Sequence, residues 1–207
     1  MKIETLVDPN MGENTYIVYE NENGLIIDPG LDLDTMVKTI DGLGIKNVTL
    51  FVTHGHFDHI YSLERLAKHY GVPINIYKEE LPYLYDTILN ASALVGSPFT
   101  IDKTIQINEL TDSLSFNGKE YPIYHTPGHS LGHVVLLIKE INALITGDLL
   151  FASSIGRTDL KGCSPEDMEK SLAYIKTFDP KLKIYPGHGP VSTIGDEIKH
   201  NPHLKGL

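Results

Sequence analysis

The stretch Thr53-His54-Gly55-His56-Phe57-Asp58-His59 holds three histidines and one aspartate in seven residues, directly after the apolar run 48–52. Neutral imidazoles and carboxylates are good ligands for divalent cations. Such groups resist burial at the end of an apolar strand unless something satisfies them. If the backbone stays extended, His54, His56 and Asp58 share one side and His59 takes the other. The stretch can then serve two adjacent cations, provided the chain turns into the helix that begins near Ile60. It cannot close two sites alone, and the chain offers more. In "HTPGHSLGH", the Pro127-Gly128 turn exposes His129 at a strand end. His125 in the preceding strand and His133 opening the next read as structural or supporting groups. Asp148 follows Gly147 at the end of the apolar "ALIT". Its two oxygens suit it to bridge two metals, although a helix or turn cap would use the same residue. His188 lies in the turn "PGHGP", where an exposed loop histidine is the plainer alternative. His69, His200 and His203 fall on polar helical or terminal segments and read as surface groups.

These residues need a frame. Apolar runs predict strands at 2–7, 15–20, 24–28, 48–53, 73–77, 104–108, 121–126, 133–139, 143–146 and 182–185. Asn23-Gly24 reads as a hairpin signal between the second and third of these. Leu33, Met36, Val37, Ile40 and Leu43 share one helical face, as do Ile60, Leu63, Leu66, Ala67 and Tyr70. A third helix opens with Ser164 as N-cap, Pro165 in the first turn, and Glu166 and Asp167 at the positive end of the dipole. A weak internal repeat runs through this pattern. A strand ending at Asp28, a helix and a strand ending in "THGH" are echoed by a strand ending near Asp148, a helix and "LKIYPGHG". Chance similarity of short apolar strands is the competing explanation.

The chain has 207 residues and carries 27 acids against 17 bases, a net charge of −10. One domain over 1–207 is expected, since no linker composition divides it. The acidic balance argues against nucleic acid and against an anionic membrane as partners. No apolar stretch approaches a membrane span, and the start "MKIETLVDPN" reads as a strand, not a signal peptide. A lone Cys163 cannot form an internal disulfide, which makes a cytoplasmic location the expectation. The oligomeric state is not legible.

"THGHFDH", "HTPGHS", "ITGD" and "YPGHG", in that order, resemble the metallo-β-lactamase superfamily through most of the chain. The resemblance implies an α/β fold, a four-layer αββα sandwich of two mixed sheets flanked by helices, with metals at one edge of the sheets. It implies that His54, His56 and His129 hold a first metal, that Asp58, His59 and His188 hold a second, and that Asp148 bridges them. Asp28 resembles the family's acid that steadies the histidine loop. Within the superfamily, His59 argues against the antibiotic-hydrolysing branches, and His56 against the flavodiiron branch, which has Glu there. The absence of basic or extra domains argues against the nucleases. "FASSIGRTDL" and the terminal "HNPHLKGL" look most like short bacterial relatives of hydroxyacylglutathione hydrolase (glyoxalase II). Two departures stand out. The helical C-terminal region that grips glutathione is not expected here, and "GRTDL" replaces a Gly/Cys/Lys loop.

The expected chemistry is hydrolysis of a small thioester by a dinuclear centre, with zinc as the first choice of metal and iron or manganese as alternatives. A water between two cations loses its proton near neutral pH and attacks the carbonyl, and a cation stabilises the oxyanion. Asp58 would handle a proton beside Asp148. Arg157 would contact the substrate, or else pair with Asp159. The resemblance of "GRTD" to persulfide dioxygenases makes a mononuclear iron site of His54, His129 and Asp148 the alternative. A metal-dependent binding module without turnover is the third reading.

Overall fold

The computed structural model describes residues 1–206; Leu207, the last residue of the terminal "HNPHLKGL", lies outside the described residues. In chain order, β1 (Lys2–Val7), β2 (Asn14–Glu20) and β3 (Asn23–Ile27) form a meander. Helix α1 (Leu33–Gly42) then crosses to β4 (Asn47–Phe51), which pairs parallel with β3. Helix α2 (Leu63–Tyr70) leads to β5 (Ile74–Tyr77), and β6 (Ile107–Leu110) closes the first sheet.

The second sheet repeats this plan. Strands β7 (Ser113–Phe116), β8 (Lys119–His125), β9 (Val134–Ile138) and β10 (Ala143–Gly147) run antiparallel to their sequence neighbours. After a small hairpin of β11 (Leu150–Phe151) and β12 (Ser154–Ile155), helix α3 (Pro165–Ile175) crosses to β13 (Lys183–Pro186), parallel to β10. Strand β14 (Ser192–Thr193) and helix α4 (Ile194–His200) complete it.

The inward-facing residues of the central strands form a shared core between the sheets. Tyr16, Val18, Leu25, Ile27 and Phe51 pack against Leu114, Ile123, Val134, Leu136 and Ile145. The opposite parity is buried too. Ile17, Ile26 and Leu50 lie against Met36 and Ile40 of α1 and Leu63 and Leu66 of α2. Val135, Leu137, Leu144 and Ile184 lie against Met168, Leu172 and Ile175 of α3 and Ile194 of α4. Burial on both faces explains why β4, β9 and β10 read as apolar runs with little alternation. The result is the expected αββα sandwich, and the internal repeat is a repeat of topology: the antiparallel strands β1–β3 and β8–β10 are each followed by a crossover helix and a parallel strand, β4 and β13. Among the described residues, no helix is long and apolar enough to cross a membrane.

Some expectations shift. The β2–β3 turn is Asn21-Glu22, not Asn23-Gly24, because Glu20 pairs with Asn23 and Asn21 takes the left-handed φ of 55°. The strand expected at 104–108 is Ile107–Leu110, after an Asp102-centred turn whose carboxylate accepts from Thr104 N. Helix α2 starts at Leu63, three residues beyond Ile60, because a turn through His56–His59 occupies the space before it.

Candidate metal centre

The loops after β4, β8, β10 and β13 converge at one edge of the sandwich, where strand C-terminal ends collect ligand-binding groups in layered α/β folds. His54, His56 and His129 have ring nitrogens within 4.8 Å of one another, and all three are buried. Asp58, His59 and His188 form a second set under the same distance. The extended-chain parity that grouped Asp58 with His54 and His56 does not hold. His59 N donates to His56 O at 3.0 Å, and this turn swings Asp58 toward His188.

Asp148 stands between the sets. Its Oδ1 lies 3.4 Å from His59 Nε2, and its Oδ2 lies 3.4 Å from His129 Nε2 and 3.7 Å from His188 Nε2. Gly187 permits this approach, since a Cβ there would sit 2.1 Å from Asp148 Oδ1 and 2.6 Å from His59 Cε1.

Four buried polar atoms at this edge have no hydrogen-bond partner: His54 Nε2, His56 Nε2, His59 Nε2 and Asp148 Oδ1. Orphaned buried groups of this kind are rare and costly. Cations at the centre of the two sets would satisfy the orphans that face it, so the donor set fits divalent metal.

Other hydrogen bonds fix how the rings point. His129 Nδ1 donates to Arg157 O at 2.9 Å, which leaves Nε2 facing His56 Nδ1 at 2.7 Å. Cys163 Sγ donates to His129 O at 2.9 Å. Asp28 accepts from Thr53 N and Thr53 Oγ1, each at 2.7 Å, and its Oδ2 lies 3.1 Å from His59 Nδ1. Asp28 also lies within metal-ligand range of His54 and His59, but its oxygens are engaged with the Thr53 donors.

Electrostatics follow the same division. Burial pushes His54 well below the usual imidazole range, reinforced by His59 and His129, and it brings His56 to about 3. These rings are therefore neutral, with lone pairs free. Burial alone would lower His59 as well, but the Asp148 and Asp58 carboxylates outweigh it and hold that ring well above its ordinary value. Burial is the largest single influence and would raise Asp148 and Asp58; His59, together with His129 at Asp148 and the His188 hydrogen bond at Asp58, outweighs it, so both stay ionised.

Of the remaining histidines, His133 is buried with Nε2 accepting from Asp148 N at 3.1 Å, so it supports the bridging candidate. His125 is exposed and stacks on Tyr77. Arg157 grips Asp159 through Nε–Oδ1 at 2.6 Å and Nη2–Oδ2 at 2.8 Å at the rim of the site, where both are exposed.

The sequence reading missed Glu80. It is fully buried in the 3₁₀ segment Lys78–Tyr85 and accepts from Gly55 N at 2.8 Å, Gly132 N at 2.7 Å and Ser130 Oγ at 2.9 Å. It therefore ties the His54–His56 loop to the His129 loop. Its only signal was an acid in a stretch with no strong period. Glu13, also buried, sits beside Asp28 and Thr15 and was likewise not singled out.

A two-sheet αββα sandwich with a histidine- and aspartate-lined edge defines a metal-dependent hydrolase class. A family model described as the metallo-beta-lactamase superfamily matches residues 9–188, and the chain belongs to that superfamily. Hydroxyacylglutathione hydrolase GloC of Haemophilus influenzae is 32% identical over 213 residues, covering 99% of this chain and 98% of that protein. The crystal structure of BLEG-1, described as a B3 metallo-beta-lactamase, superposes with a TM-score of 0.93 at 31% identity, over 99% of this chain and all (100%) of that one. TTHA1623 in a di-iron-bound form superposes with a TM-score of 0.87 at 30% identity, over 97% of this chain and 100% of that one.

Proposed function

We propose that this protein is a dinuclear metallohydrolase of small thioesters. The carrying observation is that His54 Nε2, His59 Nε2 and Asp148 Oδ1, all buried and without a hydrogen bond, lie between two groups of candidate ligand residues. In this reading His54, His56 and His129 would hold one ion and Asp58, His59 and His188 the other, with Asp148 available to both. Zinc is the first choice; the di-iron form of TTHA1623 keeps iron as an alternative. When bound, such ions acidify water and polarise a carbonyl.

The chain's own groups do the rest. The neutral His54 and His56 present lone pairs, while Asp148 stays ionised and sets the two groups of ligands at a fixed separation. Asp58 Oδ2, 3.3 Å from His188 Nε2, is placed to take a proton at the mouth of the site. A thiolate leaves readily because a thiol has a pKa of about 8.5. The 32% identity to hydroxyacylglutathione hydrolase GloC supports the thioester class.

The test is elemental analysis of the purified protein beside a panel of thioesters, a β-lactam and a persulfide. About two metals per chain are expected, with thioester hydrolysis lost on chelation and restored by metal. One iron per chain with oxygen uptake on the persulfide would overturn this reading in favour of a dioxygenase. β-Lactam turnover without thioester turnover would overturn it in favour of the activity in BLEG-1's description.

A further inference from the structure

Phe57 is the one apolar side chain inside the ligand stretch, and the metal chemistry makes no use of it. It is half-buried and forms a wall between two cavities. The cavity over the centre, about 370 Å³, is lined by His56, His129, Asp148 and His188. A second groove, about 420 Å³, runs outward from it; the two share Met11, Phe57 and Asp58 as walls. Beyond Phe57 the groove is built from Tyr61, Val95 and Phe99. Met11, Tyr61 and Val95 are about half exposed, at 47%, 51% and 49%. Apolar groups left half open beside a reactive centre are what a substrate arm would cover.

The charge around the groove selects among arms. Asp8 and Asp32 line it, with Asp58 at the end where a bound cation would offset its charge, and no lysine, arginine or histidine does among the described residues. Arg65 stacks on the Tyr61 ring at 4.7 Å, but it lines a separate cavity beyond the Tyr61–Phe99 pair. Asp8 and Asp32 spend oxygens on local N–H groups, Asp8 on Asn10 and Met11 and Asp32 on Thr35. An incoming carboxylate would meet like charge and, among the lining residues, no cationic partner.

Resting on the thioester reading above, we propose that this groove binds one arm of the substrate and that this arm is apolar and carries no negative charge. Glutathione, with two carboxylates, is then a poor fit for this side of the centre.

The experiment uses the metal-loaded full chain and matched thioesters. On the acyl side and, separately, on the thiol side, the terminus is a methyl group or a carboxylate at equal length. KM is measured, together with calorimetric binding of ketone analogues in which CH2 replaces sulfur. On one of the two sides the carboxylate should weaken binding about tenfold or more, and each added methylene on that side should tighten it about fourfold. Val95→Lys should cancel most of the charge discrimination. The double variant Asp8→Asn with Asp32→Asn should narrow it too; it keeps the oxygens that accept the loop N–H groups, and so covers the case in which Val95→Lys does not fold. Equal binding of both termini on both sides would overturn the proposal, as would discrimination unchanged in the folded variants. Analogue binding with the expected charge dependence but no thioester turnover supports the groove and removes the hydrolase reading alone.

Discussion

Asp28 and Asp148 are both buried carboxylates, yet their partners differ in kind. Asp28 meets Thr53 N–H, Thr53 O–H and the His59 Nδ1 edge, whereas Asp148 meets ring nitrogens on opposite sides. Removing the Asp28 oxygens would strand buried donors. Asp28→Ala should therefore destabilise the metal-free chain by about 3 kcal/mol and reduce metal content, with Asp28→Asn in between because it keeps one acceptor. Thermal denaturation and elemental analysis read both effects, and an Asp28→Ala protein of parental stability would count against the assignment. The histidines of "HTPGHSLGH" should separate in order. His129→Ala should lose bound metal and activity. His133→Ala removes the acceptor for Asp148 N–H at 3.1 Å, so it should keep most of the metal and lose part of the activity. His125→Ala, at an exposed stacking position, should change stability by less than about 0.5 kcal/mol. Comparable metal loss in all three would show that the Pro-Gly turn does not single out His129.

At the scale of elements, the 3₁₀ segment Lys78–Tyr85 holds two histidine loops through one side chain. Burial brings the Glu80 carboxyl up to about 7 despite three donors that pull it down. The folded chain thus keeps this proton at pH values where the unfolded chain has released it. Its contribution is fully present below about pH 4.5 and is lost as pH rises toward about 7. The stability advantage of the parent over Glu80→Gln, measured by urea denaturation of the metal-free proteins, should therefore shrink between about pH 5 and 7; an advantage that grows with pH would contradict the assignment. Elements of this kind also mark the limit of what the sequence reveals. The long strands and α1, α2 and α3 were legible because burial on both faces demands apolar runs and amphipathic faces. The hydrophobic pattern is silent on the two-residue strands Leu150–Phe151, Ser154–Ile155 and Ser192–Thr193, and weak on Ser113–Phe116, which buries only Leu114 and Phe116. Helix α4 has few apolar positions, though Thr193, whose side chain accepts from Asp196 N, was a readable cap. The centre was legible because its groups are chemically conspicuous. Glu80 was not, since its role depends on contacts 25 and 52 residues away.

At the scale of the molecule, ligands from both sheets mean that bound metal is linked to the stability of the whole sandwich. Ions that bind only the folded chain at a hundred times their dissociation constant add about 2.7 kcal/mol. Chelation should then lower Tm by about 5–10 °C, and hydrogen exchange should quicken around His54–His59 and His129 and also in the slowest sheet amides, which follow the global stability. A Tm indifferent to chelation would mean that the centre is not metal-linked. The tie between β2 and the end of β13 carries this further. Asn14 N donates to Gly187 O at 2.7 Å, and Asn14 Nδ2 reaches Pro186 O and Gly189 O at 2.9 and 2.8 Å. A residue near the start of the chain thereby holds the loop that carries His188. During synthesis the residues of the first sheet are made while that loop does not yet exist, so a nascent chain has His54, His56 and Asp58 on hand long before it has the complete pocket. A complete set of candidate ligands then waits until the His188 loop has been made, and until then the earlier ones would offer an open, incomplete site to whichever cation the cell supplies first.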